Sequence, residues 1–197
     1  MLIMQLMIFR FLYDNFYWID FTIGGLTPVA VYLLYRRKLI SKPVWLLFWV
    51  GFALGLAFEI PLSVTNAFSK TMPFAYFVRP LPVHFSVLIV MHSFWDAGIL
   101  LIGVLLVFLV SGASYFDKFK WPELIVLLIW GQVSELAVEL TSTFNHGWAY
   151  IPYWWNPSLF KFNGLDITPL LQIIWFVVPI IFYFIGLRFN KMDAAKI

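Results

Sequence analysis

No cysteine occurs among the 197 residues. That absence excludes disulfides, thiolate metal sites, haem-attachment motifs and thiol catalysis. Charge is nearly as scarce: Asp, Glu, Lys and Arg make up 12% of the chain, about half the share of a soluble domain. No phosphate-binding loop, dinucleotide fingerprint or Ser-His-Asp order is visible. Three histidines, His84, His92 and His146, are the whole supply of imidazole. The first 16 residues are apolar but carry Arg10 in their middle and no small-residue cleavage site. They differ from a secretory signal and read as an interfacial amphipathic segment or a short extra helix.

What is present is apolar. Hydrophobic residues make up 62% of the sequence, and its mean hydropathy is +0.89. The apolar runs are continuous over more than 20 residues, whereas the strands of a membrane β-barrel alternate over about ten. The fold class is therefore all-α: a polytopic integral membrane helix bundle forming a single transmembrane domain over residues 1–197. Five spans are predicted, at 16–36, 43–68, 83–110, 122–144 and 168–188, with residues 2–13 as a sixth if they also cross. Each is long enough for a bilayer of about 30 Å at 1.5 Å per residue.

The net charge of +3 is held in short clusters between the spans, the pattern of orientation by positive loops rather than of nucleic-acid binding. Arg36, Arg37, Lys38, Lys42, Lys118, Lys120, Arg188, Lys191 and Lys196 lie on one side; Arg10, Lys70, Arg79 and Lys161 lie on the other. Nine against four predicts an outside N-terminus and a cytoplasmic C-terminus, with residues 189–197 as a cytoplasmic tail.

Four carboxylates inside the spans stand at related positions, Asp20, Glu59, Asp96 and Glu135, with Glu139 further along the span of Glu135. An Asp at a helix centre costs about 2.5–3.5 kcal/mol on insertion scales, so an intramembrane acid points to function by default. The four are also related to one another. Shifting the chain by 76 residues aligns 20–68 with 96–144 without a gap, and 11 of the 49 positions are identical. The matches include Asp20/Asp96, Gly55/Gly131, Glu59/Glu135, Lys42/Lys118 and Trp45/Trp121. A parallel two-helix internal repeat is expected, and a further step of 76 reaches Gln172. Such a repeat keeps orientation, so the polar positions fall at one depth, in the non-cytoplasmic half.

Helical spacing adds detail. Gly51, Gly55, Glu59, Ser63 and Asn66 share one stripe, where small residues allow close approach and aim the acid at a neighbour. Gln132, Glu135 and Glu139 share another, and His92 and Asp96 are i,i+4 neighbours beside Trp95. His92, Asp96, Glu135 and Glu139 are chemically suited to a metal, but no H-E-x-x-H or repeated Glu-x-x-His motif accompanies them, and no metal is assigned. His84, at a span end, and His146, in a loop, carry no assignment. Aromatic residues make up 21% of the chain, and Trp148, Tyr150, Tyr153, Trp154 and Trp155 crowd the fourth connection. Belts at the membrane interface explain part of this. Trp95, Trp130 and Trp175 lie inside spans, although Trp130 also fits a lipid-facing position. Rings beside an acid suit an apolar substrate that becomes cationic.

The order FWDAGILLIG (94–103), a Glu-bearing span, Trp148-Ala149-Tyr150 and the G-x-x-x-x-P-L-L-Q run (164–172) resembles the carotenoid lycopene-cyclase domain and the related membrane terpene cyclases. The likeness covers residues 90–185. Members carry a Trp-Asp in one helix and a Pro-x-Glu-Glu motif opening another; here the paired acids correspond to Leu171-Gln172. The resemblance implies a cofactor-independent cyclase or isomerase of a lipophilic isoprenoid, carotenoid or sterol-like substrate. A buried acid protonates an alkene or epoxide, the cation rearranges between aromatic walls, and a carboxylate removes a proton. With the motif acids missing, that chemistry moves to Asp96, Glu59, Glu135 and Asp20. His92, Trp95, Glu139, Trp148, Tyr150, Gln172 and Trp175 are the expected substrate contacts. No cofactor is expected, and the expected partners are a lipophilic small molecule, membrane lipids and, as an option, a second copy of the chain. The alternative is a proton-coupled transporter or lipid-binding membrane protein using the same acids.

Overall fold

The computed structural model describes residue 7, residues 10–69 and residues 72–194, the last five by backbone alone. The segment 2–13 read as a sixth span lies largely outside the described residues. Residues 10–14 are helical and lead through a turn at Asn15 into the first long helix.

Five helices are long and apolar enough to cross a membrane. They are α1 (Phe16–Arg36), α2 (Lys42–Phe68), α3 (Phe85–Ser111), α4 (Trp121–Phe144) and α5 (Pro169–Ala194). Their starts have local causes. Ser41 caps α2, its Oγ accepting from the Val44 N–H at 3.5 Å, and Pro43 and Pro122 occupy first-turn positions, where a missing N–H costs nothing. His84 caps α3 through its ring nitrogen, which accepts from the Ser86 N–H at 3.3 Å. The final helix continues to Ala194, so most of the expected tail is helical; residues 195–197 lie outside the described residues.

Helix α3 is the hub. It packs on α1, α2 and α4, while α5 packs on α4 and α2. Glycines set the closest crossings. A Cβ on Gly51 would lie 2.9 Å from the Ala97 Cα, one on Gly24 would lie 2.7 Å from the Met91 carbonyl oxygen, and one on Gly131 would lie 2.9 Å from the Trp175 carbonyl oxygen. Without a hydrophobic drive between helices in lipid, such backbone proximity is the main source of association. The outward faces carry large apolar side chains, with Leu109 69%, Ile129 60% and Ile173 58% exposed. A surface of that kind is stable only when hydrocarbon covers it. The chain is a multi-pass membrane helix bundle.

The connections are not purely helical or irregular, as an all-α reading expects. At the end holding the second and fourth connections, β1 (Ala75–Phe77) pairs antiparallel with β2 (Trp148–Tyr150), in the register Ala75↔Tyr150 and Phe77↔Trp148. The strands β3 (Phe160–Phe162) and β4 (Leu165–Ile167) form a hairpin. Its turn is Asn163-Gly164, both with positive φ (50° and 79°), the combination a tight two-residue hairpin requires.

The opposite end is closed by a polar knot built on Glu123, which is fully buried. Its Oε2 accepts from the Phe116 N–H at 3.3 Å and the Tyr183 hydroxyl at 3.1 Å, tying the α3–α4 connection to α5. Lys120 Nζ lies 2.9 Å from Asp117 Oδ1 and 3.2 Å from Glu123 Oε1. The hydrogen bond from Lys120 holds the Asp117 carboxyl below its ordinary value, and Asp117 in turn raises the Lys120 ammonium. A lowered carboxylate pKa stabilises the fold above its unfolded value and loses that contribution as pH falls through the folded one. The melting-temperature deficit of Asp117→Asn relative to the native chain is therefore expected at pH 7 and absent at pH 2. Equal deficits at both pH values would contradict the pairing.

Candidate functional site: an acidic cavity inside the bundle

A cavity of about 390 Å³ opens among all five helices, beneath the β1–β2 pair. Helix α1 supplies a strip at i, i+3, i+4 and i+7: Phe16, Ile19, Asp20 and Ile23. Helix α2 contributes Phe58, Glu59, Leu62, Ser63 and Asn66; α3 contributes His92, Trp95, Asp96 and Ile99. Glu135, Val138 and Thr141 come from α4, and Leu171 and Trp175 from α5. The two strands close the top. Ala75 and Phe77 alternate inward while Tyr76 points out, 46% exposed, and Trp148 and Tyr150 face inward beside them.

Asp20, Glu59, Asp96 and Glu135 thus reach one space. His92 sits at its centre, with Nε2 2.9 Å from Asp20 Oδ2 and Nδ1 3.7 Å from Glu59 Oε1. Each ring nitrogen faces a carboxylate, the arrangement a doubly protonated imidazole satisfies. Trp95 fixes the Asp20 backbone, donating from Nε1 to its carbonyl oxygen at 3.0 Å. Trp148 stacks at a tilt on the His92 ring, with centroids 5.1 Å apart.

Asp96 and Glu135 differ from that triad. They are 8% and 3% exposed, and Asp96 Oδ2 and Glu135 Oε1 have no hydrogen-bond partner among the described residues. Asp96 reaches its place because Gly55 leaves room: a Cβ there would lie 2.7 Å from Oδ2. The glycine stripe on α2 therefore seats the acid of the neighbouring helix as well as its own.

Two expected contacts stand apart. Glu139 is fully buried and does not line the cavity; its Oε2 accepts from the Gln172 side chain at 3.0 Å. Gln172 does not line it either, and its backbone oxygen accepts from Gln132 at 2.9 Å. These three residues form an α4–α5 polar clamp. Trp130 does not simply face lipid, since its Nε1 donates to the Ile99 carbonyl oxygen at 2.7 Å. His146 contacts the Tyr13 ring and lies outside the cavity.

The cover is held by side chains. Asn66 Oδ1 accepts from the N–H groups of Phe74 and Ala75 at 2.9 and 2.8 Å. Ser142 Oγ both donates to the Trp148 carbonyl oxygen and accepts from its N–H, each at 2.9 Å. The Tyr17 hydroxyl donates to the Gly147 carbonyl oxygen at 2.7 Å, linking α1 to the same cover. Tyr150, above the span, has its phenol pushed well above the ordinary value by burial, with the Glu135, Glu139 and Glu59 charges adding to it. It remains a neutral hydroxyl and accepts from Trp148 Nε1 at 3.3 Å.

Residues that sequence reasoning did not place at the site include Phe58, Leu62, Thr141, Leu171, Asn145 and Phe77. The helical ones were within reach of the same periodicity, since Val138, Thr141 and Asn145 continue the Glu135 face. Phe77 had no local signal, because it arrives through pairing with Trp148 far along the chain. No protein-family model matches the chain, and no similar curated protein or solved structure is found.

Proposed function

We propose that the protein is a membrane-embedded enzyme that isomerises or cyclises a lipophilic isoprenoid, carotenoid or sterol-like molecule by carboxylate acid/base chemistry. The observation that carries this reading is the division of labour among four acids in one apolar, ring-lined cavity. Asp20 and Glu59 are engaged by His92, whereas Asp96 and Glu135 line the cavity and each keep one buried oxygen with no hydrogen-bond partner among the described residues. An acid without a competing donor can deliver its proton to an alkene carbon or epoxide oxygen of the substrate. The resulting cation lies between Trp95, Trp148 and Trp175, whose ring faces favour positive charge. Loss of a proton from a neighbouring carbon to Glu59 restores a neutral product, and the proton returns to Asp96 through the Asp20–His92–Glu59 set. No electrons are exchanged and no co-reactant is consumed.

The likeness to membrane terpene cyclases is part of this proposal, with Asp96 and Glu59 taking over from the acids replaced by Leu171-Gln172. So is the two-helix repeat over 20–68 and 96–144, which accounts for acids from α1–α2 and α3–α4 meeting at one depth. The lysine and arginine asymmetry orients the cavity towards the non-cytoplasmic side, with the C-terminus in the cytoplasm. Substrate enters from the bilayer beside α1 and the helical segment 10–14 before it, where the lining residues Ile23 and Leu12 are 40% and 42% exposed.

A proton-coupled transporter would use the same acids to carry protons between two aqueous faces. Mass spectrometry of lipids that co-purify with the protein separates the two readings. A bound polyprenoid or sterol-like molecule is expected. Uptake into reconstituted vesicles that depends on a pH gradient, with no lipophile bound, would replace the enzyme reading by the transporter.

A further inference from the structure

The charge balance of the cavity is one-sided. Four carboxyl groups line it, and among the described residues the imidazole of His92 is the sole basic side chain that does so. The ring nitrogens of His92 face Asp20 at 2.9 Å and Glu59 at 3.7 Å, so one imidazole stands between two carboxyl groups. Asp96 and Glu135 line the same cavity with side chains 8% and 3% exposed, and each has a buried oxygen without a hydrogen-bond partner among the described residues. A buried carboxyl group stays protonated unless a cation meets it, and an amine that arrives neutral from the bilayer can take its proton and supply that cation.

The hydrogen-bonding capacity of the wall is equally one-sided. Three of its N–H donors are spent inside the protein: Trp95 on the Asp20 carbonyl oxygen, Trp148 on the Tyr150 hydroxyl, and the Asn145 amide on the Thr141 carbonyl oxygen. A ligand that needs donors, such as a fatty acid or a ketone, finds few. A ligand that brings its own donor finds carboxylate oxygens backed by tryptophan faces, the best ring for a cation.

We propose that the molecule this cavity retains most tightly is a lipophilic amine, bound as its ammonium with the charge against Asp96, Glu59 and Asp20 and the hydrocarbon along Phe58, Leu62 and Ile99. The proposal rests on the reading that the cavity admits a lipophile from the bilayer, but not on its conversion. An amine of this kind occupies the place of the cationic intermediate.

The test compares N,N-dimethyldodecylamine with 1-tetradecanol, a neutral chain with the same number of heavy atoms, and with tetradecanoate. Binding is read as the rise in melting temperature of the purified full chain in nonionic detergent at pH 7, as a function of ligand mole fraction. The amine is expected to bind at least about tenfold more tightly than the alcohol, the ratio equivalent to 1.4 kcal/mol. The carboxylate is expected to bind least. In Asp96→Asn and Glu59→Gln the amine-to-alcohol ratio is expected to fall towards one, which also subtracts partition into micelles. If either variant fails to fold, the comparison on the native chain decides alone. An amine that binds no better than the alcohol, or a carboxylate that binds better than both, overturns the proposal. Amine preference with no product from any polyprenoid removes the catalytic reading and leaves this one standing; product formation without amine preference does the reverse.

Discussion

Asp96→Asn and Glu59→Gln are each expected to lower product formation from polyprenoid substrates in membranes by about 10²–10⁴-fold, the usual contribution of a positioned acid or base. The two substitutions remove different functions. Asp96 lines the cavity, and its Oδ2, seated against Gly55, has no hydrogen-bond partner among the described residues, so its amide keeps the shape of the wall but has no acidic proton to give. Glu59 faces His92 Nδ1 at 3.7 Å, so its amide loses a proton acceptor and uncouples the imidazole from one neighbour. The double variant is expected to be little worse than the weaker single, since groups that act in one proton path are not additive. Product formation by both single variants at the native rate, with the proteins intact in the membrane, would remove the acid/base mechanism.

Gly55→Val is the second large effect, and it acts through the backbone. The Cβ alone would lie 2.7 Å from Asp96 Oδ2, 2.9 Å from Ser93 Cα and 3.1 Å from Ser93 Cβ. The Ser93 Cα belongs to the main chain of α3 and has no rotamer to relieve the clash. Overpacking of this kind costs about 1–3 kcal/mol. The variant is expected to melt several degrees lower and to lose activity as the Asp96 carboxyl is displaced from its seat. Gly25→Ala is the control on a glycine without such a neighbour, because its Cβ would meet only Met91 Sδ at 3.5 Å, an ordinary contact. Equal melting temperatures for Gly55→Val and Gly25→Ala would show that the α2–α3 contact is looser than these distances state.

The helices were readable because a span announces itself three times, by length, by apolar content and by the Pro or charged residue at its end. Lys42–Phe68 and Trp121–Phe144 lie within one residue of the expected 43–68 and 122–144 for this reason. The acids of the cavity were readable because an ionisable group in hydrocarbon has few inexpensive explanations. What they contact was not. His92 was expected near Asp96 on its own helix, yet its nitrogens point to Asp20 on α1 and Glu59 on α2, a choice set by how three helices rotate against one another. Glu139 and Gln172 share the polar layer but turn towards each other, because a carboxylate and an amide on facing helices satisfy one another before either reaches the cavity. Glu123 attracted no attention as a first-turn residue, a position where an acid is ordinary. Its burial against Phe116 and Tyr183 depends on a connection folding back over α4. The β1–β2 pair escaped because three-residue strands have no periodicity to read and their partners come from different loops.

That pair has a kinetic consequence. A strand from each of two connections, latched by Asn66 and Ser142 and tied to α1 by Tyr17, stands between the cavity and the water above it. Exchange through that side requires several hydrogen bonds to break together, and a shift of α1 would also have to break its bonds from Tyr17 and Asp20. The residence time of whatever occupies the cavity is therefore set by how often these latches open together.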